Sequence, residues 1–267
     1  MAMKVLVTFA VEAEFAPWRR RHSFELVEMP TPTGLKSHYL YRGVVLGNNV
    51  DVLLTGIGWE ESKTENRPCY VLRELLKLKP EVCVSSGLAG GLALDLQAGD
   101  VVAARALSLR AGGDAIHCNA NLVRLAENAG AHVKRMQLTE THIVSEASAK
   151  ASLAAFGDFV DMEGYYILQI VGGTRIPGIS VRAISDTRED SLPSGIEKVV
   201  NREGHIQTLP LLKLLLRRPS QIPTLVDFGS KSKGAAVALA DFLDRFLEIL
   251  DGDTSEAQEQ QERIAAR

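Results

Sequence analysis

"SVRAISD", residues 180–186, carries an alternating apolar pattern (Val181, Ala183, Ile184) straight into Ser185 and Asp186. The pattern reads as a buried strand that ends in a hydroxyl and a carboxylate. An earlier run, "FVDMEG" (159–164), ends in the same way, with Asp161 and Glu163. A carboxylate where a strand leaves a sheet either caps the next turn or is aimed into a site. Open α/β sheets bind their ligands at the carboxyl ends of their strands.

Working outward, short β-rich runs alternate with helical patterns. "KVLVTFA" (4–10), "SHYLYRGVVLG" (37–47) and "NVDVLLTG" (49–56) read as strands, with Gly47-Asn48-Asn49 as a turn. So do "EVCVSSG" (81–87), "VVAARALSL" (101–109) and "HVKRMQLT" (132–139). Helices are expected over 59–79, with Pro68 kinking or restarting the first, near 119–129, at 145–156, over "LPLLKLLLRR" (209–218) and at 234–250. Alternation of this kind predicts an α/β fold: a single-domain, three-layer α/β/α sandwich around a mixed, mostly parallel central sheet. No repeat or low-complexity linker divides the chain, so residues 1–250 are expected as one domain. The polar segment 251–267 is expected as a frayed or disordered tail.

Composition narrows the function. The 267 residues carry a net charge of −3, which argues against a nucleic-acid-binding surface. Three widely spaced cysteines without a CxxC pair suit a reducing compartment rather than disulfides or zinc. The start lacks the longer apolar stretch of a signal peptide, and no run approaches the ~20 apolar residues of a membrane helix. A cytoplasmic location is therefore expected. The histidines show no HExxH or paired His/Cys spacing, so no metal site is expected.

"SSGLAGG" (85–91) is a glycine-rich stretch after a strand, expected as a loop whose backbone N–H groups approach a ligand closely. It is neither GxGxxG nor GxxxxGK[ST], and "GIGWEE" (56–61) lacks the third Rossmann glycine and reads as a tight strand-to-helix turn. Four acids stand at or just beyond expected strand ends: Glu14, Asp161, Glu163 and Asp186. Each alone reads as a cap or a solvated charge. Parallel strands deliver all of them to one edge of the sheet, which reads as a site.

In order and spacing, "KVLVTFAVEAEF", "LLTGIG", "SSGLAGGLALDLQAGDVV", "VDMEGYYI" and "PGISVRAISD" resemble the purine nucleoside phosphorylase/nucleosidase family. The methylthioadenosine/S-adenosylhomocysteine nucleosidase branch is the nearest in pattern, over roughly residues 4 to 190. From residue 191 the chain departs, and "LLRRPSQIP" (215–223) resembles instead the hopanoid-associated phosphorylases, which are assigned to removing adenine from adenosylhopane.

The resemblance implies an enzyme that cleaves the N-glycosidic bond of a purine, adenine above all, nucleoside. Asp186 would protonate or hydrogen-bond the departing base at N7, and Ser185 would orient it. Glu163 would grip the ribose hydroxyls and stabilise the oxocarbenium-like sugar, with Met162 against its apolar face. Gly87, Leu88, Ala89 and Gly90 would form the binding loop. Glu14 would be the base that activates water, and Arg182 would orient Glu14 or bind phosphate. Cofactors are not implied, except phosphate as co-substrate if the reaction is phosphorolysis.

Hydrolysis is favoured. Family phosphorylases hold phosphate with an arginine and a serine at the positions of Ser85 and Leu88 here, and neither offers a bidentate cationic fork. Arg19, Arg20 and Arg21 keep the phosphorolytic alternative open, and a non-catalytic nucleoside-binding module is the alternative of another class. Homo-oligomers are implied as usual for the family. A transient membrane-surface contact through Lys213, Arg217 and Arg218 is the functional alternative to a plain core helix there.

Overall fold

A computed structural model describes residues 2–29, 38–58, 67–110, 112–193 and 222–265. The expected helix at 209–218 and the lysine and arginines proposed to touch a membrane lie outside them, as does most of the stretch that resembles the hopanoid-associated proteins. Among the described residues, no helix is long and apolar enough to cross a membrane.

The first half is a βα frame. β1 (Lys4–Phe9) lies parallel to β4 (Asn48–Leu54) on one side and to β5 (Val82–Ser85) on the other. β2 (Phe24–Met29) and β3 (His38–Val45) extend the sheet antiparallel beyond β4. β2 was not anticipated: its Glu25, Leu26, Val27, Glu28 run mixes burial at an exposed edge, so alternation is blurred. α1 (Glu12–Arg19) follows β1, and α2 (Arg67–Lys77) has Pro68 in its first turn, where the missing N–H costs nothing.

β11 (Gly178–Asp186) is the hinge of the fold, because it pairs with three strands. It runs parallel to β5 through its first half and to β6 (Leu88–Gly91) through its second, and antiparallel to β7 (Val101–Leu109). β7 also pairs with β9 (His132–Thr139), β9 with β10 (Phe159–Asp161) and β10 with β6. The second half of the sheet thus closes on β11, a closure that alternation cannot show. "LAGG", expected as a loop, is the strand β6. Its small residues let three backbones converge there.

The remaining elements are β8 (Ile116–His117), α3 (Ala120–Asn128), α4 (Ala147–Leu153), α5 (Gly164–Gly172) and the long α6 (Ile222–Ala265). α5 and α2 cover one face of the sheet, while α6 packs on β11, α1 and α3 on the other. The boundary expected at residue 250 falls inside α6, which continues through the polar segment. The Glu, Gln, Ala and Arg residues of that segment are good helix formers, which the expectation of a disordered tail, drawn from polarity, did not weigh.

Two contacts seat α1, whose first turn carries Glu14. Phe15 lies against Phe24 and Tyr41 with ring centroids 5.1 Å apart, and also packs with Phe9 and Trp18. The buried Trp18 indole donates to Asp244 Oδ1 of α6 at 2.7 Å, and His22 Nε2 lies 2.8 Å from the same oxygen. Asp244→Ala therefore leaves a buried indole N–H unpaired, which costs about 1–3 kcal/mol. Urea unfolding is expected to show that loss, and Trp18→Phe added to Asp244→Ala is expected to cost much less than Trp18→Phe alone.

Candidate active site

A cavity of about 700 Å³ opens where β1, β6, β10 and β11 end, roofed by α1 and α6. Glu14, Leu88, Ala89, Gly90, Met162, Glu163, Ser185 and Asp186 all line it. Arg182 and Gly87, expected with them, do not. Asp161 does, together with apolar residues of α1 and α6 that the sequence reading left out, among them Pro17, Leu225 and Phe228.

Glu14 is the third residue of α1, and its carboxylate reaches back to the chain entering the helix. Oε2 accepts from the Ala10 amide at 2.9 Å and the Val11 amide at 3.4 Å, as the glutamate of a capping box does. Oε1 accepts from the Leu88 amide of β6 at 3.0 Å. The cap and the site residue are therefore one group. Gly87 is explained here: its φ is +149°, and a Cβ would lie 3.1 Å from Glu14 Oε2. It supports the carboxylate from behind rather than touching a ligand. Burial raises the Glu14 carboxyl above its ordinary range, against the Leu88 amide and the Arg182 charge, which pull it down.

Glu163 is the N-cap residue of α5 yet does not cap it. Asp161 Oδ2 takes the Gly164 amide at 2.8 Å, and Thr139 Oγ takes the Tyr165 amide at 3.0 Å. That frees the Glu163 carboxylate to accept from the Gly58 amide at 2.7 Å, in a turn where Gly58 has φ +74°. The "GIG" turn thus serves the site without binding a dinucleotide. Burial first, then the neighbouring Asp161 charge, push the Glu163 carboxyl up to about 8.

Ser185 and Asp186 are consecutive, and in a regular strand they would face opposite sides. The pairing of β11 with β6 slips one residue here: Ile184 pairs with Ala89 and Asp186 with Gly90. This bulge-like slip turns both side chains toward the cavity. Ser185 Oγ donates to Asp186 Oδ1 at 2.6 Å, so the expected orienting contact is present. The other oxygen, Oδ2, accepts from Lys150 of α4, a residue the sequence reading missed. Lys150 is fully buried and also donates to the carbonyls of Thr187 at 2.9 Å and Asp190 at 2.8 Å. The only hint was a lone lysine among small residues in "ASAKASL", and its partner lies 36 residues on.

Arg182 is corrected from a catalytic to a structural role. Its guanidinium is buried, with Nη2 donating to Asp161 Oδ2 at 2.6 Å and to Ser85 Oγ at 3.0 Å, and Nη1 to the Ser85 carbonyl at 2.5 Å. It contacts neither Glu14 nor the cavity, and Ser85 is occupied as well. Of the three arginines after Glu14, Arg19 pairs with Glu12 at 2.8 Å and Arg21 with Asp241 at 2.5 Å, while Arg20 reaches the cavity wall.

Residues 4–206 match the family described as the phosphorylase superfamily. The chain belongs to that superfamily. Among its relatives, the 5′-methylthioadenosine/S-adenosylhomocysteine nucleosidase of Shewanella pealeana is 26% identical over 237 residues, covering 80% of this chain and 99% of its own length. That of Anoxybacillus flavithermus is 26% identical over 233 residues, covering 78% and 94%. Two solved Helicobacter pylori structures share the superfamily fold at 17% identity and TM-score 0.66. One is a futalosine hydrolase mutant, covering 92% of this chain and 99% of its own. The other is a nucleosidase mutant with 5′-methylthioadenosine in its active site, covering 93% and 99%.

The raised Glu163 carboxyl has a consequence for stability. The folded state holds a proton there that the unfolded chain releases near 4.5, so this contribution is complete below 4.5 and is lost as pH rises through about 8. Glu163→Gln is expected to flatten the fall in melting temperature across that interval. An unchanged pH profile in the variant would contradict the assignment.

Proposed function

We propose that this chain hydrolyses the N-glycosidic bond of an adenine nucleoside whose 5′ position carries an apolar substituent. The carrying observation is one cavity lined by Glu14, Glu163 and Asp186 in which both nearby buried cations, Arg182 and Lys150, are already paired. Such a cavity is electrostatically suited to a sugar that becomes positive as the bond breaks.

Each group has a task that fits its surroundings. Asp186, fixed by Ser185 and Lys150, meets the base and assists its departure as electrons flow onto it. Glu163 faces the ribose hydroxyls. In its ionised form Glu163 holds the ribose hydroxyls and stabilises the positive charge that grows on the sugar. Glu14, raised by burial and held by three backbone amides, takes a proton from the attacking water. Met162 and Leu88 supply apolar contact with the sugar. The volume suits a ligand larger than a bare base, being in the ~300–1,000 Å³ range of small-molecule pockets. Leu225, Phe228, Pro17 and Val144 support an apolar 5′ substituent, of which the lipid-linked nucleoside suggested by the resemblance is one form.

The names of the curated relatives support hydrolysis and an adenine nucleoside with a 5′ thioether. Phosphorolysis rests on Arg20 and Lys233, which stand at the cavity wall. A phosphate there would meet a carboxylate-lined interior, which repels it. Self-association is supported by the exposed Leu94 and Phe156, carried on loops joined where the Leu92 and Ala93 amides donate to the Asp158 carbonyl.

Purified protein incubated with 5′-methylthioadenosine is expected to release adenine without phosphate and yield the free sugar. Asp186→Asn and Glu14→Gln are each expected to lower kcat by about 10²-fold or more. Release only with phosphate, giving a sugar 1-phosphate, would replace the hydrolytic reading with the phosphorolytic one. Binding without release from any 5′-substituted adenosine would leave a nucleoside-binding module.

A further inference from the structure

We propose that Lys150 is a positioning residue for base departure, acting through Asp186 as both its clamp and its source of the transferred proton; this rests on the nucleosidase reading above. Lys150 is wholly buried, in a helix of small residues, and its three contacts are Asp186 Oδ2 and the carbonyls of Thr187 and Asp190. Three acceptors around one nitrogen match the three N–H bonds of an ammonium. Burying that charge is costly, and a loop tie alone would be made as well by a neutral amide. What the charge adds is its pairing with Asp186.

The contacts of Asp186 point the same way. Its Oδ2 is ion-paired with the Lys150 ammonium, the contact of a carboxylate, while Ser185 Oγ lies 2.6 Å from Oδ1 and 3.3 Å from the Ala89 carbonyl. The proton delivered to the base then comes from beyond the carboxylate, and Lys150 is the charged donor in contact with it. As the C–N bond breaks, its electron pair moves onto the base. N7 takes a proton through Asp186, and a Nζ–H bond breaks with its electron pair remaining on nitrogen. The neutral amine keeps its two N–H bonds on the Thr187 and Asp190 carbonyls, so no donor or acceptor is stranded there. The attacking water gives its hydroxide to the sugar and its proton to Glu14. A proton passing from Glu14 to Lys150 through solvent restores the starting state. Asp190 Oδ1 in turn accepts from Lys231 of α6 at 3.0 Å, which holds the loop carrying these carbonyls against the cavity roof.

The test is a double-mutant cycle read separately in kcat and KM, with melting temperatures measured alongside. Lys150→Met is expected to lower kcat for 5′-methylthioadenosine by about 10²-fold while KM changes little. In the Asp186→Asn background the same substitution is expected to cost less than about threefold, because its effect passes through the missing carboxylate. Lys150→Gln, which keeps amide donors for the two carbonyls, is expected to retain the fold and show the same loss of kcat. Equal losses in both backgrounds, or near-wild-type kcat in Lys150→Gln, would reduce Lys150 to a loop tie and overturn the proposal. If the wild-type protein itself releases no adenine, the nucleosidase reading fails and the Lys150 proposal falls with it, whereas release by the wild type with either outcome above overturns the proposal alone.

Discussion

The buried ion pair between Arg182 and Asp161 is the interaction on which the rest depends. Its guanidinium stands on β11 and spans to the end of β10 through Asp161 and to the end of β5 through Ser85. Two strand ends are thereby fixed to the middle of β11 from inside the protein. Asp161 Oδ2 takes both the guanidinium and the first amide of α5, and that releases Glu163 from capping. Removing one member of such a pair strands the other in a dry interior, at about 3–5 kcal/mol. The pair also determines the charge balance. Burial raises the Glu14 and Glu163 carboxyls, the Asp161 charge adds to the rise at Glu163, and the Arg182 charge, which pulls both down, does not offset it.

That imbalance makes the cavity more than a hole of suitable size. A site whose carboxyl groups outnumber the cations beside them rewards a ligand that becomes positive. The backbone amides of Ala10, Val11, Leu88 and Gly58 hold the carboxylates in place, so little reorganisation is needed when charge develops. The same geometry explains why α1 must be seated by aromatic packing and by Asp244. A shift of its first turn would move Glu14 away from the Leu88 amide of β6.

Much of this was legible in the chain. Carboxylates at Glu163 and Asp186 follow from period-two patterns that stop at an acid, but β10 runs antiparallel to β11 and the two meet across β6, which parallel delivery does not describe. The glycine turn before Trp59 was legible as a tight turn and the glycine stretch after Ser85 as a close approach, though not as a turn that feeds Glu163 or as a strand. Arg182 was misread because sequence places a cation near the site without showing which acid it meets. Lys150 was missed because its contact with Asp186 crosses from α4 to β11, and helical spacing carries no record of it. The closure of the sheet on β11 was hidden for a similar reason. One strand changes partners along its length, which alternation of polarity cannot encode.

The central claim is that the cavity is electrostatically matched to a cationic sugar. The direct measurement compares dissociation constants of two 5′-alkylthio adenine-nucleoside mimics of one shape, one with a protonated pyrrolidine nitrogen in the sugar ring and one with an uncharged ring. The account predicts that the cation binds at least about 10²-fold tighter, as a transition-state mimic does. Glu163→Gln would erase much of that advantage. Equal affinity for the two would contradict the account.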